Sequence, residues 1–303
     1  MDKRLKKAIL LALGTAAISG TAVFLGKIAV TVVPNPTAFT FLKNALVAVL
    51  LVGALLIATR LKELKSLKKN DWWKLIAIGV IGGSLPFSLF FTGLTMTTAG
   101  SAALIHKSLF IWVALLAVPF LREKIGWIQG GALALLLLGN ILMIGWRNFS
   151  FGAGELMILA ATVFWAVENI IAKKALKNLS SVLVASARMV FGSVILLVVV
   201  GWQGNLGLLT GLSPIQWMWT IIPSILLLGY VLTWYTALKH APATLVASLL
   251  VPASLITNFL SLIFLDKSIA VYEAIGSIFL VTAVSMIIWQ AKKIYRQKEY
   301  ARE

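Results

Sequence analysis

Five charged side chains stand inside stretches that are otherwise apolar: Lys27, Lys43, Lys107, Glu168 and Arg188. At the centre of a bilayer each such group costs about 2.5–3.5 kcal/mol on insertion scales, so each needs a reason to be there. A buried ammonium or guanidinium can hold an anion, and a buried carboxylate can carry a proton. His106 precedes Lys107 and could relay protons, with an interhelical hydrogen bond as the plainer alternative. On a continuous helix adjacent residues point about 100° apart. One of His106 and Lys107 is therefore expected to face a cavity and the other a helix interface. Asn169 follows Glu168, and Asn44, Asn140 and Asn258 are further amides of the kind that bond between membrane helices. Trp112, Trp165, Trp234 and Tyr235 could line a cavity, or could simply pack or meet lipid. Two histidines, no cysteine and no HExxH pattern offer no metal site and call for no cofactor. One central carboxylate and one histidine are too few for an enzyme, which needs convergent acids, bases or nucleophiles.

The elements that must position these residues are membrane helices. Of 303 residues, 60% are hydrophobic and only 12% charged, and the mean hydropathy is +0.97. A soluble fold would be left with an apolar surface, whereas about 20 apolar residues suffice to cross about 30 Å of hydrocarbon. Candidate spans fall at 8–33, 37–58, 75–94, 99–121, 126–146, 155–172, 182–201, 216–238, 243–265 and 270–290. The first run, Ala8 to Val33, is too long for a signal-peptide core and reads as a retained helix. Gly82, Gly83, Pro86, Pro119, Pro223 and Pro252 lie inside spans, where neighbouring helices tolerate the kinks they cause. Trp72, Trp73, Trp217 and Trp219 fall at span ends, as interfacial residues do.

The net charge of +17 could suggest nucleic acid, but its distribution argues against that partner. Lys3, Arg4, Lys6 and Lys7 precede the first span, and Arg60, Lys62, Lys65, Lys68, Lys69 and Lys74 separate the second from the third. Arg122 and Lys124 follow the fourth, Lys173, Lys174 and Lys177 the sixth, and Lys239 the eighth. His240 stands in the same loop as Lys239 and is expected to be solvated. The tail adds Lys292, Lys293, Arg296, Lys298 and Arg302. These 21 basic residues share one side, against Arg147 and Lys267 on the other. The positive-inside rule then places both termini in the cytoplasm of a multi-pass protein of the plasma membrane.

The chain also repeats. Phe91-Thr92-Gly93-Leu94 aligns with Tyr235-Thr236-Ala237-Leu238, Ala103 with Ala247, and Phe120-Leu121 with Phe264-Leu265. Ser19 and Lys27 share the spacing of Trp165 and Lys173, and Lys43 matches Arg188. The expected fold is all-α and integral to the membrane, with ten transmembrane helices in two five-helix repeats, 1–150 and 151–303, joined by the Gly-rich GWRNFSFGAG. Five is odd, so the second repeat is inverted. Charges kept in both halves, Lys27 with Lys173 and Lys43 with Arg188, read as scaffold that binds helix C-terminal carbonyls or snorkels to a headgroup. Lys107 and Glu168 have no counterpart, since Val251 and Ala22 occupy the matching positions. They are the better candidates for handling substrate or protons. By helix rise their depths differ by about 10 Å, which argues against direct pairing.

In this order of features the chain resembles the drug/metabolite transporter superfamily, specifically its EamA-type family. The resemblance rests on Lys27 and Lys173 ending the first helix of each half, on Lys43 and Arg188 early in the second, and on Phe120-Leu121-Arg122-Glu123 closing the fourth. Two departures are Lys267, where that family has an acid, and His106-Lys107-Ser108, where it often has a proline such as Pro252. The resemblance implies a secondary transporter, often an exporter, of amino acids or related small metabolites. The expected substrate and proton pathway comprises Lys107, Glu168, His106, Asn169, Trp165 and Tyr235. Lys27, Lys43 and Arg188 are kept as cavity or scaffold charges. The expected partners are a small-molecule substrate and membrane lipid, with proton coupling and a homodimer as options. A lipid-handling or structural membrane protein without solute flux is the alternative.

Overall fold

A computed structural model describes residues 3–57, 61–144, 152–265 and 269–300. Arg60, Arg147, Asp266, Lys267, Arg302 and residues 145–151 of the linker, with the boundary at 150/151, lie outside the described residues. Helices dominate, and no strand occurs among the described residues. This is what hydrocarbon demands, because a helix satisfies its own backbone N–H and C=O groups. In chain order they are α1 (Lys3–Val32), α2 (Pro36–Ile57), α3 (Lys69–Met96), α4 (Ala99–Leu121), α5 (Trp127–Ile144), α6 (Ala153–Ala175), α7 (Ser181–Trp202), α8 (Pro214–His240), α9 (Ala243–Phe264) and α10 (Val271–Tyr300). Among the described residues nine are long and apolar enough to cross a membrane, and α5 is a shorter apolar helix whose described part ends at 144.

Sequence sets the ends. Asn35 Oδ1 accepts from Thr37 and Ala38 N at 2.9 Å each, which starts α2. Ser180 caps α7, and Ser213 with Gln216 forms a capping box ahead of Pro214 at the start of α8. His240 is the last residue of α8 rather than part of a loop, because its Nδ1 lies 2.7 Å from the Thr236 carbonyl one turn back. Trp72, Trp73 and Trp217 are exposed near helix starts, whereas Trp219 packs partly against the core.

Three helices are irregular. In α3 a π turn spans Gly79–Ser84, just before Pro86. α4 breaks at Ser108, and α9 breaks over Leu249–Pro252. Ser108 and Pro252 hold equivalent places in the two halves. Pro252 breaks its helix for want of an N–H. At Ser108 the backbone tightens to i−3 bonds, Ser108 N to Ile105 O at 3.1 Å and Ile111 N to Ser108 O at 2.9 Å, and the Ser108 hydroxyl also donates to the Ile105 carbonyl at 2.7 Å.

The halves interlock. α1 packs on α8 and α3 on α6, while α2 faces α7 and α5 faces α10. Lipid tails are as apolar as leucine, so this packing rests on close contact rather than on expulsion from water. Glycine permits the closest approaches. A Cβ on Gly139 of α5 would lie 2.9 Å from the Gly276 carbonyl of α10, and one on Gly276 would lie 2.7 Å from the Gly139 carbonyl.

The repeat extends to individual bonds. Lys27 Nζ donates to the Leu94 and Thr97 carbonyls at 2.7 and 2.6 Å, at the end of α3. Lys173 Nζ donates to the equivalent Leu238 and Ala241 carbonyls at 2.6 Å each, at the end of α8. Thr97 also bonds Glu155 in the first turn of α6, whereas Lys173 lies in its last turn. The two lysine seats therefore occupy opposite ends of the bundle. The Lys173 end is stitched further by Glu123, whose carboxylate accepts from Ala243 N, Thr244 N and Thr244 Oγ1 at the start of α9. Because the seats match, Lys27→Met and Lys173→Met should destabilise alike. Each should lose about 1 kcal/mol or more, or about 2–4 °C in the melting of detergent-solubilised protein. A large loss in one and none in the other would separate the two seats.

Candidate functional site

The π turn and the proline after it make the site. The residue four beyond Gly82 is Pro86, which has no N–H to give, so the Gly82 carbonyl is left for side chains. Gly82 O accepts from Trp165 Nε1 of α6 at 3.0 Å and from Arg188 Nε and Nη2 of α7 at 3.1 and 3.0 Å. Gly83 O accepts from Asn44 Nδ2 of α2 at 2.9 Å. Gly82 must lack a side chain, because Glu168 Cγ packs where its Cβ would be. One turn of α3 thus gathers α2, α6 and α7.

A relay leads on from Arg188. Its Nη1 donates to Tyr235 OH at 3.2 Å, and that hydroxyl donates to Glu168 Oε1 at 2.5 Å. Glu168 Oε2 is buried and has no partner among the described residues. Asn169 sits alongside, giving Nδ2 to the Trp165 carbonyl at 2.9 Å and taking Trp234 Nε1 on Oδ1 at 2.8 Å. Arg188, Tyr235, Glu168 and Asn169 are all buried.

A second polar group lies at the α4 break. Lys107 Nζ donates to Ser19 Oγ of α1 at 2.7 Å and sits 3.2 Å from His106 Nδ1. A charged lysine has only donors, so it assigns Nδ1 as acceptor and leaves the imidazole proton on Nε2. The two neighbours converge despite the 100° rule, because the flexible lysine stem curls back where α4 is interrupted at Ser108.

Between these groups is a cavity of about 70 Å³. Ser19, Lys43, Phe87, Phe90, Phe91 and His106 line it from the first half, and Trp165, Arg188, Pro223, Leu227 and Tyr230 from the second. The rings interlock: Phe87 and Phe90 meet Trp165 at centroid distances of 5.2 and 5.5 Å, and His106 meets Trp165 at 4.8 Å. Lys43 Nζ stands 4.4 Å from the centroids of both Phe87 and Phe91.

Of the residues singled out in the sequence, His106, Trp165, Lys43 and Arg188 reach the cavity wall. Lys107, Asn169 and Tyr235 stand behind it as partners of wall residues, and Glu168 one step further back as the partner of Tyr235. Lys107 and Glu168 form no ion pair, and the ion pair among the described residues, Lys74 with Asp71 at 3.5 Å, is at a helix start. Lys27 binds carbonyls at a helix end, as a scaffold lysine would. Lys43 does neither thing expected of a scaffold lysine: it meets no helix-terminal carbonyl and reaches no surface, being 2% exposed. Sequence reasoning passed over Ser19, Phe87, Phe90, Phe91 and Tyr230 as cavity residues. The spacing i, i+3, i+4 of the three phenylalanines was the available signal, since it puts them on one helix face. No cluster of three or more His, Asp or Glu side chains that could hold a metal occurs among the described residues.

A multi-pass helical membrane protein with a polar, aromatic cavity at the seam of two repeats belongs to the transporter class. The EamA-like transporter family matches twice, over residues 6–145 and 152–289, and the chain belongs to that family, within the drug/metabolite transporter superfamily. It is 24% identical over 234 residues to an uncharacterized transporter of Methanothermobacter thermautotrophicus, covering 75% of this chain and 67% of that protein. It is 26% identical over 257 residues to the uncharacterized transporter YvbV of Bacillus subtilis, covering 80% and 81%. A solved crystal structure shares the fold with a TM-score of 0.75 at 17% identity, over 95% of this chain and 99% of that one.

The bond pattern ranks substitutions. Tyr235→Phe removes the bridge between Arg188 and Glu168 and strands buried groups on both sides, which should cost about 1–3 kcal/mol. Trp165→Phe leaves Gly82 O with two donors from Arg188 and should cost less. Thermal unfolding of the purified variants checks the order, and equal or inverted losses would contradict it.

Proposed function

We propose that the chain is a secondary transporter that moves small metabolites, amino acids or related compounds, across the cytoplasmic membrane by alternating access, in the direction of export. The observation that carries this reading is the cavity itself: both halves supply its wall, and its polar groups stand deep in an apolar bundle. The halves, 1–150 and 151–303, are read as inverted, with both termini cytoplasmic. Lysine seats at opposite ends of the bundle and the one-sided basic loops support this. The cavity has room for about two waters at ~30 Å³ each, so a metabolite requires it to widen. The π turn of α3 and the breaks in α4 and α9 are the places where helices already depart from regular geometry. His106 and Trp165 would touch the solute. Lys107 and Asn169 would position them, since Lys107 fixes the His106 tautomer and Asn169 holds the Trp165 carbonyl. Glu168, with Oε2 unpartnered, is the candidate proton carrier, and Tyr235 links it to Arg188.

Three measurements test this. Proteoliposomes facing a panel of amino acids and related metabolites should show saturable, protein-dependent flux. Absence of both flux and ligand stabilisation across the panel would turn the reading toward a lipid-handling or structural role. Glu168→Gln keeps shape but cannot titrate, so it should lose pH-driven accumulation while retaining substrate exchange. Unchanged pH-driven uptake would remove Glu168 from coupling. The chain has no cysteine, so single-cysteine labelling has no background. In intact cells an impermeant reagent should label Gln203→Cys but not Ser66→Cys or Asn178→Cys. The reverse pattern would overturn the orientation.

A further inference from the structure

Lys43 is a part of the cavity wall that packing does not explain. The residue is 2% exposed and lines the cavity, and the contacts of its ammonium are with rings. Two phenyl faces at 4.4 Å are its neighbours, and they do not replace the three acceptors an ammonium keeps in water. Arg188 stands over the same Phe87 ring, with Cζ 5.2 Å from the centroid. Three of its five N–H groups serve Gly82 and Tyr235, and two are left over.

The balance of charge points the same way. Lys43, Lys107 and Arg188 are basic groups at 1–3% exposure in the bundle interior, and Glu168 is the carboxylate buried with them. Lys107 is satisfied by Ser19 and His106, and Glu168 is engaged through Tyr235. The surplus of basic groups stands at the cavity. An anion arriving there would hold these groups in their charged form and be held by them in turn, so the site is built for negative charge. Among the described residues no carboxylate lines the cavity to receive an amine, and apart from Ser19 and His106 the rest of the wall is aromatic or aliphatic.

We propose that Lys43 and Arg188 form the seat for the carboxylate of an organic monoanion, whose apolar or aromatic body lies against Phe90, Trp165 and Tyr230. An α-ammonium is not required, so amino acids would be read through their carboxylate and organic amines refused. This deepens the transport reading and rests on it. The cavity's volume, about 70 Å³, suits a carboxylate as it stands, with the body admitted on widening.

The test uses the purified full chain in chloride-free buffer. Binding and thermal stability are measured with isovalerate, 3-phenylpropanoate, phenylalanine and 2-phenylethylamine, and flux of each is followed in proteoliposomes. The carboxylates should bind and 2-phenylethylamine should not. Lys43→Met should weaken carboxylate binding by about 10–100-fold, the range for a lost charged hydrogen bond, and Lys43→Arg should keep most of it. Ligand-free Lys43→Met should melt at or above the wild-type temperature, because it sheds a buried charge. A lower melting temperature with unchanged affinity would make Lys43 scaffold and overturn the seat. Equal or better binding of 2-phenylethylamine would also overturn it, while leaving the transporter reading intact. Sodium chloride reproducing the Lys43-dependent shift would overturn the organic ligand in favour of an inorganic anion. Binding and flux by none of the probes would remove the seat, and failure across the wider metabolite panel as well would remove the transport reading with it.

Discussion

The structure turns on the Gly82 carbonyl. Inside a bilayer a polar group that lacks a protein partner has no water to fall back on. Trp165 and Arg188 bring N–H groups into that medium, and both deliver them to this oxygen. The oxygen is free because Pro86, four residues on, has no N–H to bond it, and it is approachable because residue 82 has no Cβ to meet Glu168. Without that free oxygen, Trp165 and Arg188 lose their acceptor. Arg188 would then no longer hold Tyr235, nor Tyr235 the Glu168 carboxylate. The spacing of α2, α6 and α7 around the cavity follows from one local irregularity.

Helix number and extent were legible in the residues, because apolar runs of membrane-crossing length leave little choice of structure. The helices start and stop within a few residues of the expected spans, with α3 and α10 longer, as charged and aromatic residues continue the helix beyond the hydrocarbon. The scaffold role of Lys27 was legible too, because a mate at Lys173 with the same spacing implied a shared local bond. The cavity was not. Symmetry suggested that Lys43 and Arg188 would be equivalent, yet Arg188 finds a carbonyl and a hydroxyl whereas Lys43 finds two rings. A repeat preserves residue type at a position without preserving what faces it. Which side chains meet across helices depends on rotation about each axis, and hydropathy carries little information about that in a segment apolar on every side.

His106 and Lys107 show a further limit. The 100° rule holds for a regular helix, and the sequence gives no proline at the point where α4 is interrupted. The interruption falls at Ser108, a residue that in most helices would pass without effect.

That difference gives the two halves unequal mechanics. In α9 the break sits at a pyrrolidine ring, which has no N–H to offer however the chain moves, so the helix cannot anneal there. In α4 the residues at the break carry N–H groups, and the Ser108 hydroxyl that donates to the Ile105 carbonyl at 2.7 Å is a contact that rotation about one side-chain bond releases. One joint is permanent and the other reversible. Two halves alike in plan thus differ in which can straighten, and the joint that can heal is the one that carries His106 and Lys107.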